Sequence, residues 1–241
     1  MTDGHITGEH MFVYGCSRSG TTLLLNLFRA FADTTVVSRE HRLAELLRYR
    51  RIGGNVVVKR TPICALDLSV ELARQPHVWV IDIVRDPRDV VTSRYGGAAA
   101  FHTDFRRWER DVQAAENAER THRRFLRVRF ADLLTKPDSV QRQIADRIGL
   151  CTERTFAETA ASLAGDADVG PKDRNALNGA RPLDAGTLGR WRGSAESVSR
   201  VREQVTRYPD MAMWLLRYRF EPDNSWLSLL GDRAPAGGAS P

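Results

Sequence analysis

Met11-Phe12-Val13-Tyr14-Gly15-Cys16-Ser17-Arg18-Ser19-Gly20-Thr21-Thr22-Leu23-Leu24-Leu25 is the stretch that decides the fold class. Residues 11–16 are a short apolar run of strand length, and 20–32 an apolar run of helix length. Between them Gly15 and Gly20 stand as in the G-x-x-x-x-G of a phosphate-binding loop. Glycines let the backbone wrap an anion, and the amides at a helix start point at it with the positive end of the dipole behind them. Arg18 and the hydroxyls of Ser17, Ser19, Thr21 and Thr22 add donors. A Gly/Ser-rich turn with a helix cap would use similar residues, but strand, loop and helix in this order favour an anion cradle. The lysine expected after the second glycine is absent, and Thr21 stands there. That absence, and the lack of a well-placed acid for magnesium, weigh against an ATP hydrolase.

Outward from this loop the chain alternates. Residues 55–59, 77–84 and 125–130 read as further strands, and 66–74, a segment from Pro87, 104–124 and 138–148 as helices. Segments 194–207 and 211–218 read as C-terminal helices. Four strands interleaved with helices predict an α/β protein of three layers, a central, mainly parallel sheet flanked by helices. Ligands of such sheets sit beyond the carboxyl ends of the strands. Residues 1–10 read as loose, 165–186 as a long loop, and 234–241, APAGGASP, as a disordered tail after a single domain over 1–233.

A second candidate anion site follows the strand 77–84: Arg85-Asp86-Pro87-Arg88-Asp89-Val90-Val91-Thr92-Ser93. Arg85 closes the strand, Pro87 suits the first turn of a helix, and Ser93 is expected about two turns on. The two could clamp one phosphate. The competing reading is a helix start capped by Asp86, with salt bridges among Arg88, Asp89 and Arg94.

Composition allows this. The 241 residues are 42% hydrophobic and 27% charged, ordinary for a globular protein, and the net charge is +6. A basic surface suits an anionic partner. Three of the 36 basic residues are lysines (Lys59, Lys136, Lys172). The arginine excess fits either a GC-rich genome or recognition of phosphate and sulfate oxygens. Cys16, Cys64 and Cys151 are too few and too scattered for a disulfide framework or a zinc site. No apolar run spans a membrane and no signal peptide is visible, so the expectation is a cytoplasmic protein, monomer or homodimer, without nucleic acid as partner.

Strand–GxxRSGTT–LL resembles the signature of sulfotransferases that use 3′-phosphoadenosine 5′-phosphosulfate (PAPS). The resemblance implies a P-loop-like sulfotransferase fold, PAPS as co-substrate, 3′-phosphoadenosine 5′-phosphate (PAP) as product, no metal, and a sulfate-accepting substrate of unknown identity. It assigns Ser17, Arg18, Ser19, Gly20, Thr21 and Thr22 to the 5′-phosphosulfate. The R-D-P-R-D-x-x-x-S element is similar to the family's 3′-phosphate site and assigns Arg85 and Ser93 to it. Val128-Arg129-Phe130-Ala131-Asp132-Leu133-Leu134 resembles another family element, with Phe130 in place of the usual tyrosine, so a hydroxyl contact is lost. Thr187-Leu188-Gly189-Arg190-Trp191-Arg192 resembles the segment that closes over the nucleotide, which makes Arg190 a donor contact and 175–184 the donor lid.

Sulfuryl transfer also needs a base for the acceptor proton and cations for the leaving oxygen. Cytosolic-type members place a histidine two residues after a strand-end lysine. Lys59 matches the lysine, with its stem buried, but Thr61 stands at the histidine position. Golgi-type and tyrosylprotein-type relatives use a glutamate after the first helix, and Ser38-Arg39-Glu40-His41 stands near that offset. Glu40 is the expected base and His41 its rival, with Lys59 and Arg18 as the other catalytic residues. Trp108 is a candidate for an acceptor pocket or a packing seam, and 36–54 and 96–110 for the segments that build the pocket. A small-molecule kinase and a non-catalytic nucleotide-binding module are the alternatives.

Overall fold

The computed structural model describes residues 8–49, 53–60, 68–94, 100–163, 169, 177 and 183–231. They divide into two compact units: Met1–Val84 with Arg110–Ala185, and Arg85–Glu109 with Gly186–Pro241.

The first unit is built on a sheet of five strands: β1 (His10–Tyr14), β2 (Thr34–Glu40), β3 (Asn55–Arg60), β4 (Trp79–Val84) and β5 (Phe125–Arg129). Their order is β2-β3-β1-β4-β5 and every neighbouring pair is parallel. A parallel sheet is covered on both faces, so its strands are apolar throughout rather than alternating. Val56, Val57 and Val58 are accordingly all fully buried, each worth about 1.5–3 kcal/mol of burial. On one face Phe12, Tyr14, Val56, Val58 and Val80 pack with Leu43, Leu46, Leu68, Leu72, Ala115 and Ala118. Those last residues come from a 3₁₀ turn (Leu43–Tyr49), helix α2 (Leu68–Ala73) and the long helix α4 (Phe105–Thr121). Helix α1 (Thr21–Leu27) packs against β1 and β3, and α5 (Phe130–Thr135) against β5. Helices α6 (Pro137–Ile148) and α7 (Phe156–Ser162) complete the unit. Proline opens α6, left-handed Gly149 closes it, and a Thr155–Glu158 capping box starts α7.

The second unit has an aromatic core. Helix α3 (Pro87–Val91), the first turn of α4, a 3₁₀ turn (Arg190–Gly193), α8 (Ala195–Arg207), α9 (Met211–Arg217) and a last 3₁₀ turn (Ser225–Leu230) surround Trp108, Trp191, Trp214 and Trp226. Arg88 is 1% exposed. Its guanidinium lies 4.7 Å from the Trp191 ring centre and 4.8 Å from that of Trp226, and it pairs with Asp86 and Glu221, both at 2.6 Å.

Several expectations change. The sheet has a fifth strand, β2, at an edge; its sequence TTVVSRE is half-exposed and half-polar, so it lacks the continuous apolar run of its neighbours. Helix α1 ends at Leu27 and tightens into a 3₁₀ turn, Phe28–Ala30. Phe130 opens a helix instead of closing β5, and α7 was not foreseen. Trp108 is fully buried and fills a seam. Residues 1–7, 232–241, Leu66, Thr61 and most of 165–186 lie outside the described residues.

Candidate active site

The loop after β1 has the backbone of a cradle. Gly15 (φ 153°), Arg18 (φ 72°) and Gly20 (φ 100°) all carry positive φ, a region that L-residues adopt at a cost. Space makes the glycines obligatory as well. A Cβ on Gly15 would lie 2.6 Å from the Ile83 carbonyl oxygen, and one on Gly20 2.5 Å from Cδ2 of Phe130. Phe130 is thus the ring against which the loop closes, a role the sequence comparison with tyrosine did not reveal. The Ser19 amide donates to the Cys16 carbonyl at 3.1 Å, tightening the turn. Ser17, Ser19 and Thr21 are buried. The Ser19 hydroxyl is buried with no hydrogen-bond partner among the described residues, and such a group calls for a ligand or a water.

Lys59 ties this loop to β2 and β3. Its Nζ donates to Thr22 Oγ1 at 2.9 Å and stands 3.9 Å from Glu40 Oε1. Glu40 and Lys59 are direct partners in the sheet, after a register shift between Val36 and Glu40. The Lys59 side chain is 7% exposed and that of Glu40 40% exposed, so the carboxylate is the partner that solvent and a substrate can reach. His41, the rival base, has both ring nitrogens engaged: Nδ1 lies 3.4 Å from Glu45 Oε2 and Nε2 3.2 Å from the Tyr49 hydroxyl. The His41 amide also donates to the Lys59 carbonyl at 3.1 Å. Glu45 accepts from the Arg42 amide at 2.7 Å, and that bond holds its carboxyl below the usual range.

Arg85, Ser93 and Arg190 belong to the second unit. Arg85 follows β4 directly. Its guanidinium donates to the Thr187 carbonyl at 3.3 Å and lies 3.5 Å from Asp89 Oδ2. Burial works against its charge, while Asp89 sustains it. Asp86 caps α3 through the Arg88 amide at 2.8 Å. The Asp86 cap of the competing reading therefore exists, but the salt bridges are different ones: Arg88 pairs with Asp86 and Glu221, Arg94 with Glu196, and Asp89 turns inward to Arg85. Ser93 is not on the helix: α3 ends at Val91 with Thr92 as its C-cap, where the Thr92 amide and hydroxyl both donate to the Arg88 carbonyl, at 3.3 and 2.7 Å, and Ser93 follows that cap. Arg190 is exposed and next to buried Trp191. Sequence reasoning missed the inward role of Asp89, whose only signal was its place four residues after Arg85. Most of the expected lid, 175–184, lies outside the described residues. Among the described residues no cluster of His, Cys, Asp and Glu could hold a metal ion, and no helix is long and apolar enough to cross a membrane.

Residues 39–154 match the model of the sulfotransferase family. No curated protein sequence matches the chain. Among solved structures the fold is similar to the sulfotransferase domain of the Synechococcus PCC 7002 olefin synthase, with a TM-score of 0.58, 16% identity, and coverage of 84% of this chain and 96% of that one. It is similar to the sulfotransferase domain from the curacin biosynthetic pathway, with a TM-score of 0.57, 15% identity, and coverage of 83% and 98%. A mouse sulfotransferase solved with PAP gives a TM-score of 0.55, 17% identity and coverage of 88% of each chain. The fold is that of the sulfotransferases.

Proposed function

We propose that this chain, a sulfotransferase-family protein through residues 39–154, transfers a sulfuryl group from PAPS to an acceptor hydroxyl, or less readily an amine, of a small molecule or larger biomolecule. The observation that carries the reading is the arrangement of Lys59, with its ammonium bonded to Thr22 of the glycine cradle and 3.9 Å from Glu40. One cation thus sits between an anion loop and an accessible carboxylate.

The residues present fit the donor. The loop holds glycines where a Cβ would strike Ile83 or Phe130, and it leaves the buried Ser19 hydroxyl to be satisfied. Ser17, Arg18, Ser19, Gly20, Thr21 and Thr22 would hold the 5′-phosphosulfate, Arg85 and Ser93 the 3′-phosphate, and Arg190 would add a further contact. The donor supplies an activated sulfuryl group on a good leaving phosphate. Glu40 takes the proton of the acceptor hydroxyl as that oxygen bonds to sulfur and the bond from sulfur to the 5′-phosphate oxygen breaks. Lys59, Arg18 and the loop amides meet the charge that grows on the departing oxygen. His41, engaged through both nitrogens, orients the turn beside Glu40. That both ends of the donor are phosphorylated distinguishes it from ATP and makes the 3′-phosphate the mark of the proposed ligand.

Transfer of labelled sulfate from PAPS to a panel of hydroxylated and aminated compounds, read by mass spectrometry, tests the reading. The wild-type protein labels at least one acceptor class and Glu40→Gln loses about 10²–10⁴ in turnover while still binding PAP. Absence of any PAP binding by calorimetry refutes the donor assignment. Collapse of turnover in His41→Ala but not in Glu40→Gln moves the base by one residue.

A further inference from the structure

Asp89 is an awkward neighbour for a phosphate site. Its carboxylate lies 3.5 Å from the guanidinium assigned to the 3′-phosphate, and its side chain is 2% exposed. A negative charge there competes with an incoming anion, and burying it costs free energy unless it is well bonded. It is well bonded, to something other than Arg85 alone. Oδ2 accepts from the Gly189 amide at 3.0 Å and Oδ1 from the Trp191 amide at 3.2 Å. These two amides bracket Arg190. Gly189 is left-handed (φ 69°), a backbone conformation that favours glycine at this turn. Arg85 grips the same segment through the Thr187 carbonyl. Trp191 is fully buried, while Arg190 points outward from between the two anchored amides.

We propose that Asp89 is a positioning residue for the 3′-phosphate: one buried carboxylate fixes the Arg85 guanidinium and the backbone on both sides of Arg190, so that two arginines are held ready for one anion. The proposal rests on the assignment of Arg85 to the 3′-phosphate. Asp89 touches no donor atom in this scheme. It acts by sparing the two cations the ordering that binding would otherwise demand. Arg85 and Arg190 repel one another, and Asp89 supplies the compensating charge from behind.

The sign of a single substitution decides between this role and its rivals. Asp89→Asn keeps the shape, removes the charge and retains one acceptor oxygen for one amide. If Asp89 only drained positive charge from Arg85, its removal would tighten binding of PAP. If it only held the fold together, affinity for PAP and for adenosine 5′-monophosphate would change alike. A positioning role predicts that PAP affinity falls about tenfold or more while affinity for adenosine 5′-monophosphate stays within about twofold. Calorimetry with both nucleotides on wild type and variant reads this ratio directly. Asp89→Glu, which keeps the charge but displaces the carboxylate, gives an intermediate ratio, and it carries the test alone if Asp89→Asn does not fold. An unchanged or increased preference for PAP in the folded variant overturns the proposal. A wild-type protein with no preference for PAP overturns instead the assignment of Arg85 on which it rests.

Discussion

Lys59 Nζ, near the end of β3, donates a hydrogen bond to Thr22 Oγ1, in the first turn of α1, at 2.9 Å. A lysine whose side chain is only 7% exposed loses much of its rotamer freedom and its hydration, which a structural charge seldom justifies. The contact orders it at the loop that would carry the charge developing in transfer. Lys59→Met should therefore lower kcat by about 10²-fold or more with a smaller loss of nucleotide affinity. Thr22→Val, which keeps the ammonium but removes this one contact, should cost less. Steady-state kinetics beside calorimetry separates the two quantities, and equal turnover in Lys59→Met and wild type would remove the lysine from the chemistry.

Arg88 anchors the second unit. It is enclosed by Trp191 and Trp226 and neutralised by Asp86 and Glu221. Arg88→Met would fill the slot between the rings but take the cation from Asp86 and leave Glu221 with Arg192 alone. Breaking a buried ion pair from one side costs about 3–5 kcal/mol. Urea unfolding of Arg88→Met should show a loss of this size, and the double variant Arg88→Met with Glu221→Gln should recover part of it. A loss below about 1 kcal/mol would show that the cation adds little beyond its volume.

Asp82 makes stability depend on pH. It lies on β4, between β1 and the edge strand β5, and burial pushes its carboxyl up to about 6, against the pull of Arg127, whose Nε donates to it at 2.7 Å. The ordinary value is 3.8, so the folded chain keeps this proton to higher pH than the unfolded chain does. Its contribution is complete below pH 4 and disappears as the pH climbs through 6. Two units correspond to about 3 kcal/mol at most. The difference in unfolding free energy between wild type and Asp82→Asn should thus shift in favour of the variant between pH 4 and pH 7.5. A difference that stays flat over that range would mean that Arg127 holds Asp82 charged throughout.

What was legible in the sequence follows burial. β1, β3 and β4 are covered on both faces, so they appear as unbroken apolar runs, and the loop between β1 and α1 shows in its glycines because no other residue could stand there. β2 escaped notice because an edge strand with a polar, half-exposed sequence has no such run. Ser93 is expected on the helix from its spacing to Arg85, whereas α3 stops at Val91 with Thr92 as its cap, and nothing in the spacing marks that stop. Asp89 and Arg88 enter the sequence reading only as salt-bridge partners at a helix start. In a chain with so many arginines, a charged residue gives no sign of being enclosed, and only the packing of a segment a hundred residues away encloses these two.

Gly20 tests whether the cradle is held by backbone conformation or by its neighbour. At φ 100° an alanine is strained by roughly 1–2 kcal/mol, and its Cβ would also press within 2.5 Å of the Phe130 ring. Gly20→Ala should weaken PAP binding strongly, because the loop can relieve both strains only by opening. Phe130→Leu removes ring atoms from the contact while keeping an apolar wall. If the ring is the larger obstacle, the double variant binds PAP better than Gly20→Ala alone, and the double-mutant cycle shows a favourable coupling. If the left-handed backbone is the larger one, Phe130→Leu brings no recovery and the two losses add. The first result would mean that Phe130 sets the size of the residue tolerated at Gly20. The second would mean that glycine is demanded by the turn alone. PAP affinity indistinguishable from wild type in Gly20→Ala would contradict both and take the loop out of the donor site.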